Sequence, residues 1–383
     1  MRIQSKRVWL DKKLQPAILE ICNSKVTNIL PFGSIEVDID YKDSMILPGF
    51  IDIHDHGYLG GDANHATMEF LQEWAMYLTS EGITSFLPTT STAFEKDLYA
   101  SYKILGEAIE SKISGANLIG LHIEGPMISC DYRGSHNPKL IVKPDIDLIK
   151  KWNDQSKGHI KMITLAPEND EGLKTTAYCV EHGITVSIGH SAATYEQSKE
   201  AVMHGVESFT HTFNGMKGLH HREPGTVGAA MNLDNAYAEI IADGVHVDFN
   251  VVNILGKIKG ENRLITVSDS IWAKGMPQGI YPKPEKGVDI IIDEHNTVRL
   301  STGSLAGSTN RLNKMVYNLI NEAKLPFITA IQSVTSNPAH LLKLDHYKGY
   351  LKEGYDADIT VVDDDINIIA TFVGGIKYFS KKD

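Results

Sequence analysis

The sequence predicts an α/β protein, a (β/α)8 TIM-type barrel with a small β-sandwich formed by the N- and C-terminal segments. Three observations point there. Eight short apolar, β-branched runs alternate with helical stretches over about 220 residues, close to the roughly 250 typical of such a barrel. Five of the runs end at or beside a residue of metal-ligand type, which is where the strands of a barrel present chemistry. Both chain ends are strand-like and show no helical period.

Up to about residue 47 the chain reads as short strands separated by turns: KRVWL, PAILEICN, KVTNILPF and EVDIDYKDSMIL. After Pro48 the rhythm becomes strand, helix, strand. The strand candidates are GFIDIH, GITSFLPTT, NLIGLHIEG, IKMITLAPE, GITVSIGHS, ESFTHTFN, AYAEIIADG and RLITVSDS; uninterrupted apolar runs of this length suit parallel strands buried on both faces. Helical spacing appears in ATMEFLQEWAMYLTSEG, EKDLYASYKILGEAIESK, DLIKKWNDQ, GLKTTAYCVEHG, TYEQSKEAVMHG and NVVNILGKIKG, several closed by the Gly expected past a helix end. A hairpin-like stretch follows (VDIIIDEHNTVRLSTG), then helices around 310–323 and 326–342. The alternating ADITVVDDDINIIATFVGGIKYFS comes last. Pairing of the two ends makes residues 1–47 plus 345–383 the small β-sandwich domain and 48–344 the barrel.

The 383 residues are 42% hydrophobic and 22% charged, with a formal net charge of −11, an ordinary globular composition. The negative balance excludes nucleic acid and anionic membrane as partners but leaves room for a phosphorylated small molecule held by local cations. The opening MRIQSKRVWL has no signal-peptide core, and no run reaches the roughly 18–20 apolar residues of a membrane span. Cys22, Cys130 and Cys179 form no Cys-x-x-Cys pair and read as reduced thiols of a cytoplasmic protein.

In a strand, residues i and i+2 share a face, so His54 and His56 can both face a metal while Asp55 points away. An isolated His-x-His also suits a solvent-facing strand end; the preceding Pro-Gly and the nearly all-apolar strand argue for ligation. Glu124 ends LIGLHIEGP, where a buried carboxylate needs a cation or donors; an ion pair in the barrel mouth is the alternative. His190 and His211 each close a strand, a position where a lone His is more often only hydrogen-bonded. Four histidines and a glutamate on one barrel face nevertheless describe a catalytic zinc-type site, with room for a second ion bridged by Glu124. Asp269 closes the last strand, placed to take a proton from water and return it to a leaving group; orienting a ligating His is its other reading. His136, Asn214, Gly215, Arg222 and His246 lie on loops of the same face and suit sugar hydroxyls and a phosphate, although each alone would be only a loop residue. SLAGS (304–308) is a candidate flexible gate.

Taken in order, PGFIDIHDHG, LHIEGP, GHS, HTFNGM, HREPGTVGAA, IADGVHV, SDS, LAGS, NPAHLL and GYDADITVVD span almost the whole chain. In that order they resemble the N-acetylglucosamine-6-phosphate deacetylases of the amidohydrolase superfamily. The resemblance implies that Glu124, His190 and His211 hold the principal metal, and that His54 and His56 match members that bind a second ion. It assigns Asp269 as general acid/base and His136 to the reacting amide and sugar. Asn214, Gly215 and His246 would contact the phosphorylated sugar. Arg222 would be a phosphate-binding arginine lent to the neighbouring subunit of a homodimer. The cofactor is then one or two divalent ions per subunit, zinc ahead of iron, manganese or cobalt.

Ser268-Asp269-Ser270 stands where the family usually has Thr-Asp-Ala, and Asn214-Gly215-Met216 where it has Asn-Ala-Met. The loop after His56 and Met127 are also unusual. None removes a ligand or the acid/base. The expected reaction is hydrolysis of the acetamide of N-acetyl-D-glucosamine 6-phosphate to D-glucosamine 6-phosphate and acetate. The galacto isomer and a non-catalytic metal-containing sugar-phosphate sensor are the alternatives.

Overall fold

The computed structural model describes residues 1–283 and 288–381; the last two residues of the C-terminal segment lie outside it. The eight expected runs form one parallel sheet: β1 (Phe50–Asp55), β2 (Ile83–Thr90), β3 (Leu121–Glu124), β4 (Ile160–Leu165), β5 (Thr185–Ile188), β6 (Ser208–Phe209), β7 (Tyr237–Ile240) and β8 (Leu264–Thr266). Each pairs in parallel with the next. Closure comes just beyond β8, where Asp55 and Ser270 form a parallel bridge. There the Asp269 N–H donates to His54 O (2.9 Å) and the His56 N–H to Ser270 O (2.7 Å). The seam of the barrel is therefore made by the backbone of three candidate site residues.

Helices cover the outside in turn: Met68–Leu78, Glu95–Ser111, Ile146–Gln155, Lys174–Glu181, Tyr195–Met203, Gly225–Asn232, Phe249–Arg263 and Leu312–Asn321. Their starts carry local signals: the Thr67 hydroxyl accepts the Phe70 N–H, and Thr194 and Gln197 form a reciprocal capping box. The sixth helix, GTVGAAMN, is absent from the helical reading of the sequence. Two glycines lower its intrinsic propensity, and burial of Gly225–Ala230 holds it in place. The stretch expected as one helix at 326–342 is two, Phe327–Ser333 and Ser336–Leu341. Pro338 cannot donate to Val334 O and its ring crowds that carbonyl, and the chain breaks at Thr335 (φ −130°, ψ −87°).

Aromatic and aliphatic side chains fill the layer between strands and helices. Trp74, fully buried, meets Phe86 of β2 edge-on with ring centroids 5.1 Å apart; burying a side chain of this kind stabilises by about 2–3 kcal/mol. The same layer holds an ion pair. Lys274 Nζ lies 2.6 and 2.8 Å from the two Glu81 oxygens and 3.0 Å from Ser270 Oγ. Burial opposes the Lys274 charge, but Glu81 and Asp55 outweigh it and raise the ammonium above its usual range.

The two chain ends share one eight-stranded sheet. In it, Met45–Pro48 runs parallel to Arg2–Leu10 on one side and antiparallel to Ile359–Val362 on the other. Ile3, Leu19, Ile46, Ile359 and Phe372 belong to its own apolar core. A third sheet (Gly279–Lys283, Val288–Ile292, Val298–Leu300) contains the expected hairpin and packs on Trp272 and Ala306 beside the barrel mouth.

Candidate active site

Six side chains converge at the carboxyl ends of the strands. His54 lies within β1 and His56 just after it, Glu124 ends β3, and His190, His211 and Asp269 follow β5, β6 and β8. The last three have positive φ (47°, 28° and 44°), a left-handed backbone that costs a non-glycine residue free energy and recurs at functional sites. That turn lets a residue beyond the strand aim its side chain back at the barrel axis. Gly189 makes room beside it: a Cβ there would sit 2.6 Å from Thr164 Cγ2 and 2.7 Å from Thr210 Cβ.

The ring nitrogens divide into two sets. His56 Nδ1 donates to Thr89 O (2.9 Å), His190 Nδ1 to Tyr132 O (2.8 Å), His211 Nδ1 to Asn214 O (3.1 Å) and His54 Nδ1 to the Glu239 carboxylate (3.2 Å). Carbonyl and carboxylate oxygens only accept, so each Nδ1 carries the proton and each Nε2 is left with its lone pair. All four Nε2 atoms face the centre. His211 and His190 lie 2.8 and 3.1 Å from Glu124 Oε1, His56 lies 3.3 Å from Oε2, and His54 and His56 face each other at 3.1 Å. Lone pairs of neutral imidazoles set against each other and against a carboxylate repel, unless a proton or a cation lies between them.

Electrostatics say the same. Burial opposes ionisation of Glu124, but the fields of His54 and His190 and the His136 hydrogen bond hold its carboxyl well below the usual range. Asp269 is held low against burial by His54 and His56. Burial likewise resists charging of His56, yet hydrogen bonds to Asp269 and Glu124 push it up to about 9; His54 and His211 rise for like reasons. The cluster demands positive charge at its centre. A divalent ion on the Nε2 and carboxylate atoms supplies that charge without protons, so the residues fit a metal. Ligand atoms of His54, Glu124 and His211 lie within 4.8 Å of one another, as do those of His54, His56 and Asp269.

His136 differs. Its Nδ1 lies 2.8 Å from the Thr92 hydroxyl and accepts the Thr92 backbone N–H at 3.3 Å; a neutral ring accepting there carries its proton on Nε2, which faces Glu124 Oε2 at 3.5 Å. In that tautomer it offers a hydrogen-bond donor, although its ring also lies within 4.8 Å of ligand atoms of Glu124 and His190. Asp269 Oδ1 stands 3.2 Å from His56 Nε2 and 3.5 Å from His54 Nε2, beside the centre rather than behind a ligand.

A cavity of about 310 Å³ opens above these groups, lined by His56, Glu124, His136, His190, His211, Asn214, Gly215, His246 and Asp269 among others. His54 lies buried beneath it. Ser304–Gly307 of the candidate gate form part of the wall, together with Phe94, Ile271 and Trp272. Arg222 is the exception among the expected residues. It sits exposed on the His220–Glu223 turn and does not line this cavity.

Three supporting residues were missed in the sequence. His122 is two positions before Glu124 and so on its face, a relation the i, i+2 rule could have supplied. Its ring bonds Ile53 O (3.0 Å) and Thr164 Oγ1 (2.8 Å), and burial with the field of His54 keeps its pKa well below the ordinary value. Asp243 accepts from His246 Nδ1 at 2.7 Å and fixes that ring. Glu239, fully buried on β7, accepts from His54; nothing in AYAEIIADG marks it apart from an outward-facing acid.

A (β/α)8 barrel that gathers histidines and carboxylates at its strand ends, around space for one or two divalent ions, has the architecture of a metal-dependent hydrolase. The chain belongs to the amidohydrolase family, whose model matches residues 45–380. It is 38% identical over 330 residues to the N-acetylglucosamine-6-phosphate deacetylase of Lysinibacillus sphaericus, covering 86% of this chain and 84% of that one. It is 31% identical to the N-acetylgalactosamine-6-phosphate deacetylase of Escherichia coli O157:H7, over 98% of this chain and 97% of that one. Its fold superposes with a TM-score of 0.92 and 28% identity, over 99% of both chains, on a variant N-acetyl-D-glucosamine-6-phosphate deacetylase from Mycobacterium smegmatis in complex with N-acetyl-D-glucosamine 6-phosphate.

Proposed function

We propose that this protein hydrolyses the acetamide of N-acetyl-D-glucosamine 6-phosphate, releasing acetate and D-glucosamine 6-phosphate, with a divalent metal as cofactor. The observation that carries the reading is the set of four imidazole Nε2 atoms turned on Glu124, with Asp269 beside them. A bound ion supplies Lewis acidity, lowering the pKa of a ligating water and polarising the acetyl carbonyl. Glu124, His190 and His211 would hold the principal ion, and His54 and His56 would hold a second. Zinc suits this imidazole and carboxylate set, although iron, manganese and cobalt accept it too.

Asp269 takes a proton from the attacking water and delivers it to the sugar nitrogen as the C–N bond breaks. His136, with its proton on Nε2, donates to the oxygen that becomes negative at the carbonyl. Asn214, Gly215 and His246 bind the sugar phosphate and orient the amide, so that unphosphorylated sugar reacts poorly. Arg222, exposed and outside its own cavity, serves the phosphate of the neighbouring subunit in a homodimer. Three free cysteines, two of them exposed, support a cytoplasmic setting.

The test is acetate release by metal-loaded protein beside Asp269→Asn, with metal content measured in both. Turnover that falls at least a hundredfold in a variant keeping its metal is the expected result. No release by the parent protein overturns the reading. A second reading, the galacto isomer, rests on the likeness to the Escherichia coli relative along 98% of this chain; it is favoured if that substrate gives the higher kcat/KM.

A further inference from the structure

Beneath the candidate metal ligands, Glu239 lies inside the barrel with no exposed surface. Its Oε2 accepts from His54 Nδ1 and from the His211 backbone N–H, each at 3.2 Å. Its Oε1 has no partner among the described residues. One carboxylate oxygen thus touches a candidate ligand of each proposed ion: the ring of His54 and the backbone of His211, whose φ of 28° is strained.

His54 has no other acceptor for Nδ1 among the described residues. The closest aromatic neighbour is His122, 4.7 Å away between ring centroids, and both of its nitrogens are engaged by Ile53 O and Thr164 Oγ1. Asp52 accepts from the His54 backbone, not its ring. Without Glu239 the neutral ring could place its proton on either nitrogen, and the Nε2-protonated tautomer has no lone pair to give a cation.

We propose that Glu239 is a positioning residue: by accepting the Nδ1 proton of His54 it fixes the tautomer in which Nε2 can bind the second ion. The inference rests on the metal-centre reading above. It sets metal stoichiometry, and through it the chemistry available, from a residue that itself touches no ion.

The test measures metal content by elemental analysis and zinc affinity by calorimetry for the parent, Glu239→Leu and Glu239→Gln. Leu removes the acceptor, and the weaker ion should lose affinity 10–100-fold, the usual effect of losing such a partner, while the ion on Glu124, His190 and His211 stays. Gln keeps an oxygen that can accept from both His54 and His211 and should restore affinity to within a few-fold. In a His54→Gln background, Glu239→Leu should cause no further loss. Parent-like binding of two ions by Glu239→Leu overturns the proposal, and so does an equal loss in the His54→Gln background. A parent protein that holds one ion also overturns it, yet leaves the deacetylase reading intact if acetate is released. Should Glu239→Leu fail to fold, ring-nitrogen NMR of the metal-loaded parent decides: a proton on His54 Nδ1 is expected, and one on Nε2 refutes the proposal.

Discussion

Replacing Lys274 with methionine would leave the Glu81 carboxylate buried without its principal counter-charge. Lys274 is 1% exposed and Glu81 0%, so water cannot take over. Breaking one side of a buried pair costs roughly 3–5 kcal/mol. Glu81 would keep the Leu312 N–H at 3.0 Å, and Arg311 Nε stands 3.9 Å away on a half-exposed side chain. These partners offset part of the loss and place the expectation near the low end, about 3 kcal/mol, or roughly a hundredfold in the folding equilibrium. Urea unfolding followed by fluorescence of the four tryptophans measures it. The double variant Lys274→Met, Glu81→Gln should be more stable than Lys274→Met alone, because the amide still accepts from Leu312 and the orphaned Glu81 charge is gone. A single variant within 1 kcal/mol of the parent would refute the argument. So would a double variant as unstable as the single one, since the cost would then come from lost packing and not from the orphaned charge.

Gly189→Ala should displace His190, since the new Cβ would meet Thr164 and Thr210 inside 3 Å; metal content and turnover should fall together while the circular dichroism spectrum is kept. Lys259, buried with its Nζ on Leu233 O at 2.9 Å, is pushed down by burial to about 8 from 10.5. Between those values the unfolded chain binds more protons, so the Lys259 penalty is full below pH 8 and disappears as pH rises to 10.5. The gain is on the order of 3 kcal/mol, read as the difference in urea midpoints between the parent and Lys259→Met from pH 7.5 to 10.5. A difference that does not change with pH would show that this ammonium is not desolvated as its surroundings imply.

The barrel was legible because its strands are short and β-branched, and five of the eight end at or beside a residue whose chemistry needs a reason. His54, His56, Glu124, His190, His211 and Asp269 could be placed together for that cause alone. What supports them could not. Glu239 sits in mid-strand, where period-2 reasoning assigns a face but does not say whether the inward face is polar. Thr92 meets His136 through both its hydroxyl and its backbone N–H, and nothing in the loop after β2 singles it out from other threonines. The tautomers that separate His136 from the four candidate ligand histidines depend on carbonyls of Thr89, Tyr132 and Asn214 and on the Glu239 carboxylate, contacts set by the closed ring. The sixth helix escaped because its eight residues are small and owe their conformation to burial. The break at Thr335 could have been read from Pro338 and the carbonyl four residues before it.

Met45–Pro48 holds a central place in the terminal sheet, hydrogen-bonded on one side to a strand made shortly before it and on the other to Ile359–Val362. During synthesis the second partner emerges about 300 residues later, which at 5–20 residues per second is a delay of roughly 15–60 s. Over that interval Met45–Pro48 presents an open row of peptide groups on an apolar strand, the kind of edge that recruits other chains. A nascent chain stalled before Ile359 could have its barrel largely made and still be prone to join its neighbours. Yield on expression should therefore depend on how quickly the last three strands are delivered, and a chaperone that shields this edge should matter more to the cell than one that assists the barrel.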